Sequence, residues 1–192
     1  DSYVVEGDWS GAAFTLALGA TSGYCKVKNL NLNSCQGDMK ILDILRDFGA
    51  NIELGKDWVI VKKSNLKGIT VDIQNVPDLA QVIASVASFA EGKTTIVNIE
   101  RLRIKESDRV MAIINSLNAL NVVANVTGNA IEVVGGDKKS GVIDGGNDHR
   151  TVMSAVVSAT NVDGGVTILG AEAIEKSYVD FLQDFVAIGG SY

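Results

Sequence analysis

Residues 101–109 read Arg-Leu-Arg-Ile-Lys-Glu-Ser-Asp-Arg, which gathers four of the chain's 17 basic residues into nine positions around the acid Glu106. The whole chain carries 23 acidic residues and a formal net charge of −6, so this basic strip is a local exception. Two shorter groups share its character, Asp148-His149-Arg150 and Glu175-Lys176-Ser177. Lys105, Arg109, Arg150 and Lys176 all stand beside expected helix starts. Unpaired backbone N–H groups and the positive end of the helix dipole favour anions there. Four such cations can hold a carboxylate and phosphate groups together, with Arg supplying paired, planar contacts. No metal-ligand spacing, Ser-His-Asp order or glycine-rich dinucleotide fingerprint occurs, so the chemistry on offer is acid–base and electrostatic.

The same residues also have a plain structural reading. Asp8, Asp78 and Asp148 can cap the helices that follow them. His149, the one histidine, can be a satisfied structural residue between Asp148 and Arg150. Lys105 and Glu106 can form an ordinary surface pair. Pro77, the one proline, sets a turn ahead of a helix. Trp9 and Trp58 read as core or edge aromatics.

At 192 residues and 46% apolar content the chain is one large domain or two small ones with a buriable core. Its acidic balance argues against nucleic acid, which needs basic residues spread over a face. Cys25 and Cys35 have no metal-type spacing and read as free thiols of a reducing compartment. The chain opens at Asp1 with no signal peptide or initiating Met, as a processed or excised chain does. The charge-free run at residues 9–25 is too short and too rich in Ser, Thr and Gly to span a bilayer. A cytoplasmic protein without membrane or nucleic-acid partners is expected.

The elements that must position these side chains follow from periodicity. A strand is expected over residues 2–7, then a helix over 11–20 with no charge on any face, which must be buried. A strand at 25–28 leads to a second helix, 39–48. Its Ile41, Leu42, Ile44, Leu45 and Phe48 share one face, and Lys40, Asp43, Arg46 and Asp47 the other. A hairpin, 51–54 with 58–61, turns at Gly55-Lys56-Asp57. The order then recurs as strand 69–73, charge-free helix 79–90, strand 94–99, helix 108–120 and hairpin 122–126 with 130–134. A third round comprises strand 141–143, helix 151–160, strand 166–169 and helix 178–188.

Asp8, Asp78 and Asp148 are spaced 70 residues apart, as are Asp38 and Asp108, and Ser107 and Ser177. A fixed period marks one unit used repeatedly. The expected fold is α/β: a single domain built as a threefold repeat of a strand-helix-strand-helix-hairpin unit, with the buried helices central. The units cover about 2–63, 68–136 and 140–192. The third lacks its hairpin, which another stretch of chain is expected to supply.

One set of residues, in order and across nearly the whole chain, resembles the 5-enolpyruvylshikimate-3-phosphate synthase family. It comprises Val5-Glu6-Gly7-Asp8 with Ser10, Gln36-Gly37-Asp38, Pro77-Asp78, Arg103 with Lys105-Glu106-Ser107-Asp108-Arg109, Asp148-His149-Arg150 and Lys176-Ser177-Tyr178. The specific part is Lys-Glu-Ser-Asp-Arg followed by Asp-His-Arg. The resemblance implies an enzyme of two domains, each a threefold repeat, with the site in the cleft between them. It implies transfer of the enolpyruvyl group of phosphoenolpyruvate to the 5-hydroxyl of shikimate 3-phosphate, releasing phosphate, with no metal or organic cofactor. This chain looks like the C-terminal part. The parent's N-terminal segment completes the third unit, and its missing N-terminal domain supplies the rest of the site.

Carried over by residue, Asp78 resembles the base that takes the 5-hydroxyl proton. Glu106 resembles the acid that exchanges protons with the methylene carbon of phosphoenolpyruvate. Arg109, Arg150 and Lys176 match cations that hold phosphoenolpyruvate, Lys105 matches a contact of shikimate 3-phosphate, and His149 a hydrogen-bond donor in the same place. Such chemistry needs an acid and a base of separated pKa, and fixed positive charge where phosphate leaves.

The chain departs from the family's pattern at Gly11, where a second serine is common, at Val179, where proline is usual, and at Thr151-Val152-Met153. None of these removes a charge. Without the other domain, the chain is expected to fold but not to turn over. Two alternatives stand beside this reading. One is enolpyruvyl transfer to UDP-N-acetylglucosamine, and the other is an anion-binding module without chemistry, which the fold alone does not exclude. Asp78 and Glu106 speak against the module, since mere anion binding has no use for carboxylates beside phosphates.

Overall fold

The computed structural model describes residues 5–192. Asp8 accepts from the backbone N–H groups of Ser10 (3.1 Å) and Gly11 (2.7 Å) and so caps α1 (Trp9–Ser22). With no charge on any face, α1 is buried from Trp9 to Thr21 except at Ser10. Then come β1 (Tyr24–Lys28), a 3-10 turn (Gly37–Lys40), α2 (Ile41–Asp47), β2 (Asn51–Leu54) and β3 (Trp58–Lys62). The middle of the chain forms β4 (Thr70–Asp72), a 3-10 turn (Pro77–Leu79), α3 (Ala80–Ala87), β5 (Lys93–Val97), a 3-10 turn (Glu100–Ile104), α4 (Arg109–Ala119), β6 (Val123–Thr127) and β7 (Ala130–Val134). It closes with β8 (Val142–Asp144), α5 (His149–Ala159), β9 (Thr167–Leu169), a 3-10 turn (Ala171–Lys176) and α6 (Phe181–Ala187).

The strands form three sheets, ordered β1-β3-β2, β4-β5-β7-β6 and β8-β9. In the first, β3 is antiparallel to both neighbours, and Val61 stands opposite Cys25 and Ile52. In the second, β4 runs parallel to β5 through the crossover helix α3, and hairpin strand β7 pairs antiparallel with the other edge of β5. In the third, β8 and β9 are parallel, joined through α5. Helices α1, α3 and α5 pack on one another at the centre, and the sheets, α2 and α4 lie outside them. Polar bonds align two of the central helices. Gln81 Nε2 donates to Thr151 Oγ1 at 2.6 Å, and one turn on Ser85 Oγ donates to the Ser154 carbonyl at 2.9 Å. Both bonds advance in the same direction, so α3 and α5 run parallel with their N-termini side by side.

The strand expected over residues 2–7 lies partly outside the described residues, and residues 5–7 carry no strand. Helix starts shift for a common reason. The turns ahead of α2 and α3 take the tighter 3-10 form, so those helices begin at Ile41 and Ala80 rather than at 39 and 79. The last helix starts at Phe181 rather than 178, because Ser177 ends the preceding 3-10 turn outside helical geometry and does not cap α6. Trp9 is core, and Trp58 is a partly exposed strand residue beneath the Lys26 ammonium. Cys25 is buried and Cys35 exposed, both as thiols. Among the described residues no helix is long and apolar enough to cross a membrane.

Candidate active site

Because α3 and α5 start together, Asp78 and Asp148 come within reach of one side chain. Arg109 is the first residue of α4, and its guanidinium contacts three carboxylates. Nε donates to Asp148 Oδ2 (2.9 Å), Nη1 to Asp78 Oδ1 (2.8 Å) and Nη2 to Glu106 Oε2 (2.6 Å). The planar fork of Arg suits such a junction, where the single point charge of Lys does not. Lys105 adds an ion pair to Asp78 Oδ1 at 2.9 Å. Arg150 Nη2 lies 3.6 Å from Asp78 Oδ2, and its Nη1 donates to the Asp78 carbonyl at 3.3 Å. Five of the seven expected site residues therefore meet in one ionic cluster with Asp148 at its base.

The capping reading separates the three aspartates. Asp8 is an N-cap and nothing more in this structure. Asp148 is both cap and anchor: Oδ1 accepts from the Arg150 N–H at 2.9 Å, and Oδ2 also accepts from Ser107 Oγ at 3.0 Å. That full set of donors lets a carboxylate sit with 0% of its side chain exposed. Burial alone raises its pKa, but the bond and charge of Arg109, the Arg150 N–H and Ser107 outweigh that and hold it below the usual carboxylate range. Asp78 makes no cap bond at all. Its carboxylate is 33% exposed and faces the cations. Burial pushes it up, and Lys105, Arg150 and Arg109 together pull it below its ordinary value. Glu106 is the open member, with 57% of its side chain exposed.

Ser107 precedes α4 but does not cap it. Asp108 caps that helix through the N–H groups of Val110 and Met111, and the Ser107 hydroxyl is spent on Asp148. Residues 100–104 wrap in a 3-10 turn that leaves Arg101, Arg103 and Ile104 exposed and buries Leu102. Arg109 is not open to a ligand here, because its side chain is only 1% exposed beneath its three partners. An incoming anion must compete with Asp78 or Glu106 for it.

His149, partly buried at the first turn of α5, has its pKa lowered by burial and then by the Arg150 charge, so it is neutral near pH 7. Neutral imidazole keeps one N–H donor. Lys176 stands apart from the carboxylates, and its Nζ donates to the carbonyl and to Oδ1 of Asn147. Asn147 carried no weight in the sequence. Its signal was the Gly145-Gly146 pair directly ahead of it, which marks a tight turn before the Asp148 cap. On the first-unit side, Ser10 Oγ donates to Asp38 Oδ2 at 2.5 Å, and burial raises the Asp38 carboxyl. Gln36 ties residues 6–9 in place through the Trp9 N–H, the Gly7 carbonyl and Glu6. Among the described residues no group of three or more His, Cys, Asp or Glu side chains is placed to hold a metal ion.

Central helices α3 and α5 point their N-termini at one ionic cluster, with the sheets outside them. The chain matches the structure of an EPSP synthase from Acinetobacter baumannii with a TM-score of 0.81 at 25% identity, over 95% of this chain and 46% of that one. It shares the fold of the enolpyruvyl transferase NikO from Streptomyces tendae, with a TM-score of 0.76 at 18% identity, over 98% of this chain and 44% of that one. The family model described as EPSP synthase (3-phosphoshikimate 1-carboxyvinyltransferase) matches residues 1–185, and the chain belongs to this family. A 3-phosphoshikimate 1-carboxyvinyltransferase of Clostridium novyi is 38% identical over 189 residues, which are 98% of this chain and 43% of that protein. The chain thus spans less than half the length of the curated relatives it matches.

Proposed function

We propose that this chain forms one domain of three like units and supplies the phosphoenolpyruvate-holding half of a 3-phosphoshikimate 1-carboxyvinyltransferase site. The observation that carries the reading is the Asp78–Arg109–Glu106 junction, where one buried cation holds two carboxylates at the mouth of the cluster. The carboxylate and phosphate of phosphoenolpyruvate compete for Arg109, Arg150 and Lys176, and shikimate 3-phosphate draws on Lys105. Asp78 and Glu106 are released from their cations as the anions bind.

Asp78, freed, takes the proton of the acceptor's 5-hydroxyl while that oxygen bonds to C2 of phosphoenolpyruvate. Glu106 delivers a proton to the C3 methylene carbon, giving a tetrahedral adduct. Loss of a proton from C3 to Glu106 and breakage of the C2–O bond to phosphate then restore the double bond. Phosphate leaves onto the fixed cations and takes the proton held by Asp78, and His149 donates a hydrogen bond to the same group. Asp78 as base and Glu106 as acid divide the two roles. The cations stabilise charge where it develops without reorganising.

A second domain of the same protein completes the site, and a further segment pairs with the outer edge of β9. Two observations support that partner. The matched relatives are more than twice as long. The other edges of β1 and β5 carry β3 and β7, whereas a groove of about 710 Å³ beside β9 is lined by Val152, Val156, Val166, Ile168, Leu182 and Phe185. The test is a phosphoenolpyruvate titration of the chain followed by NMR. Saturable shifts centred on Arg109, Arg150 and Lys176 and weakened by salt are expected. Shifts elsewhere, or none at millimolar ligand, overturn the reading.

A further inference from the structure

The turn before α5 is built around Asn147. A Cβ at Gly145 falls 2.6 Å from Val152 Cγ2 and 2.7 Å from the Leu169 carbonyl, so the chain passes there only as glycine. Gly146 and Asn147 follow with φ of 58° and 55°, in the left-handed region, where Asn is one of the few tolerated side chains. The Gly146 N–H bonds to Asp144 Oδ1 at 2.9 Å, and the Asp148 N–H to the Gly145 carbonyl at 3.0 Å. Asn147 is thereby held from both sides.

Held in this way, Asn147 turns its carbonyl and its Oδ1 toward one atom, Lys176 Nζ, at 2.6 and 2.5 Å. Lys105, Arg109 and Arg150 each contact the Asp78 carboxylate. Lys176 is in no ion pair among the described residues, and its two bonds go to neutral oxygens. Its charge is therefore uncompensated. An ammonium has three N–H donors, so one remains after Asn147 has taken two. A free lysine side chain loses rotamer freedom when it grips a ligand, and here that loss precedes binding.

We infer that Asn147 is a positioning residue: it chelates Lys176 and presents it, fixed and with one donor to spare, to the incoming phosphate or carboxylate group. The inference rests on the proposed role of Lys176 in anion binding.

Asn147→Gly separates the side chain from the backbone, because glycine keeps the left-handed turn and the carbonyl acceptor and removes only Oδ1. Two readouts on the 192-residue chain apply. The first needs no substrate: acetic anhydride labelling of each lysine, followed by mass spectrometry. Asn147→Gly is expected to speed labelling of Lys176 several-fold relative to the other lysines, and an unchanged rate overturns the chelation. The second is calorimetric titration with phosphoenolpyruvate in a cycle with Lys176→Met. Asn147→Gly is expected to weaken binding about five- to tenfold, the effect of one hydrogen bond of ordinary net strength, and to change nothing in the Lys176→Met background. Equal losses in both backgrounds overturn the positioning role. Faster labelling with no phosphoenolpyruvate binding by any variant overturns the anion-site reading alone.

Discussion

Arg109 Nε stands 2.9 Å from Asp148 Oδ2, and the two side chains are 1% and 0% exposed. This bond ties the first residue of α4 to the cap of α5 at the floor of the candidate site. Removing one partner of a buried pair leaves the other charge stranded, typically at a cost of about 3–5 kcal/mol. Arg109→Met is therefore expected to lower the unfolding free energy by ~3 kcal/mol or more in urea, a figure on the scale of that same penalty. A loss within ~0.5 kcal/mol, the size of an ordinary surface change, contradicts the structural half of Arg109's role.

Acid should act through the same aspartates. Asp78 and Asp148 are held below the ordinary aspartate value, so their contribution is complete above the unfolded pKa and is lost as pH falls through the folded values. Asp38, raised by burial, works the other way and gains stability as it protonates. The urea midpoint is expected to stay level from neutral pH to about 5 and to drop below about 4, near the unfolded pKa of these groups. Asp148→Asn, which keeps a capping side chain, flattens that drop, and an unaltered acid limb in this variant contradicts the assignment.

Ligand binding reverses the state of Asp78. In the ligand-free chain three cations depress its carboxyl, and an anion that takes those cations leaves it more basic. Carboxyl carbon NMR is expected to show Asp78 titrating higher with saturating phosphoenolpyruvate than without it. A value that stays put or falls means the carboxylate is never released and is no base.

The outer edge of β9 gives a prediction about dynamics. Thr167 N–H bonds to the Gly141 carbonyl on the β8 side, so by strand alternation the Ile168 N–H points to the other edge. Ile96 lies in β5, which is paired on both edges. Hydrogen exchange at Ile168 is expected to run at least tenfold faster than at Ile96 in the chain alone, and to slow when the partner segment is present. Full protection in the chain alone contradicts a partner at that edge.

Several of these positions were legible in the sequence. The uncharged run at residues 11–20 could only be a buried helix, and Asp8 and Asp148 cap as Asp ahead of a helix does. Spacing did not reveal that Asp78, at the same place in the 70-residue register, makes no cap and turns to Lys105 and Arg109 instead. That choice depends on cations arriving from another helix. The partner of Ser107 was hidden for a related reason: Asp108 beside it caps α4, and the serine hydroxyl finds Asp148 across the chain. Asn147 was hidden because its role needs a left-handed backbone and a lysine 29 positions away. The boundaries of α2 and α3 moved because 3-10 turns and α-helices share composition and differ only in bonding.

Phosphate release from phosphoenolpyruvate and shikimate 3-phosphate decides whether Asp78 and Glu106 carry half of a transferase site. The chain is assayed alone, and again with the purified N-terminal domain of a related synthase. No release alone and release in the mixture are expected, with a fall of at least ~100-fold for Asp78→Asn or Glu106→Gln, the lower end of what a general acid or base contributes. Release by the chain alone, release only with a UDP-sugar acceptor, or release indifferent to both substitutions contradicts the account.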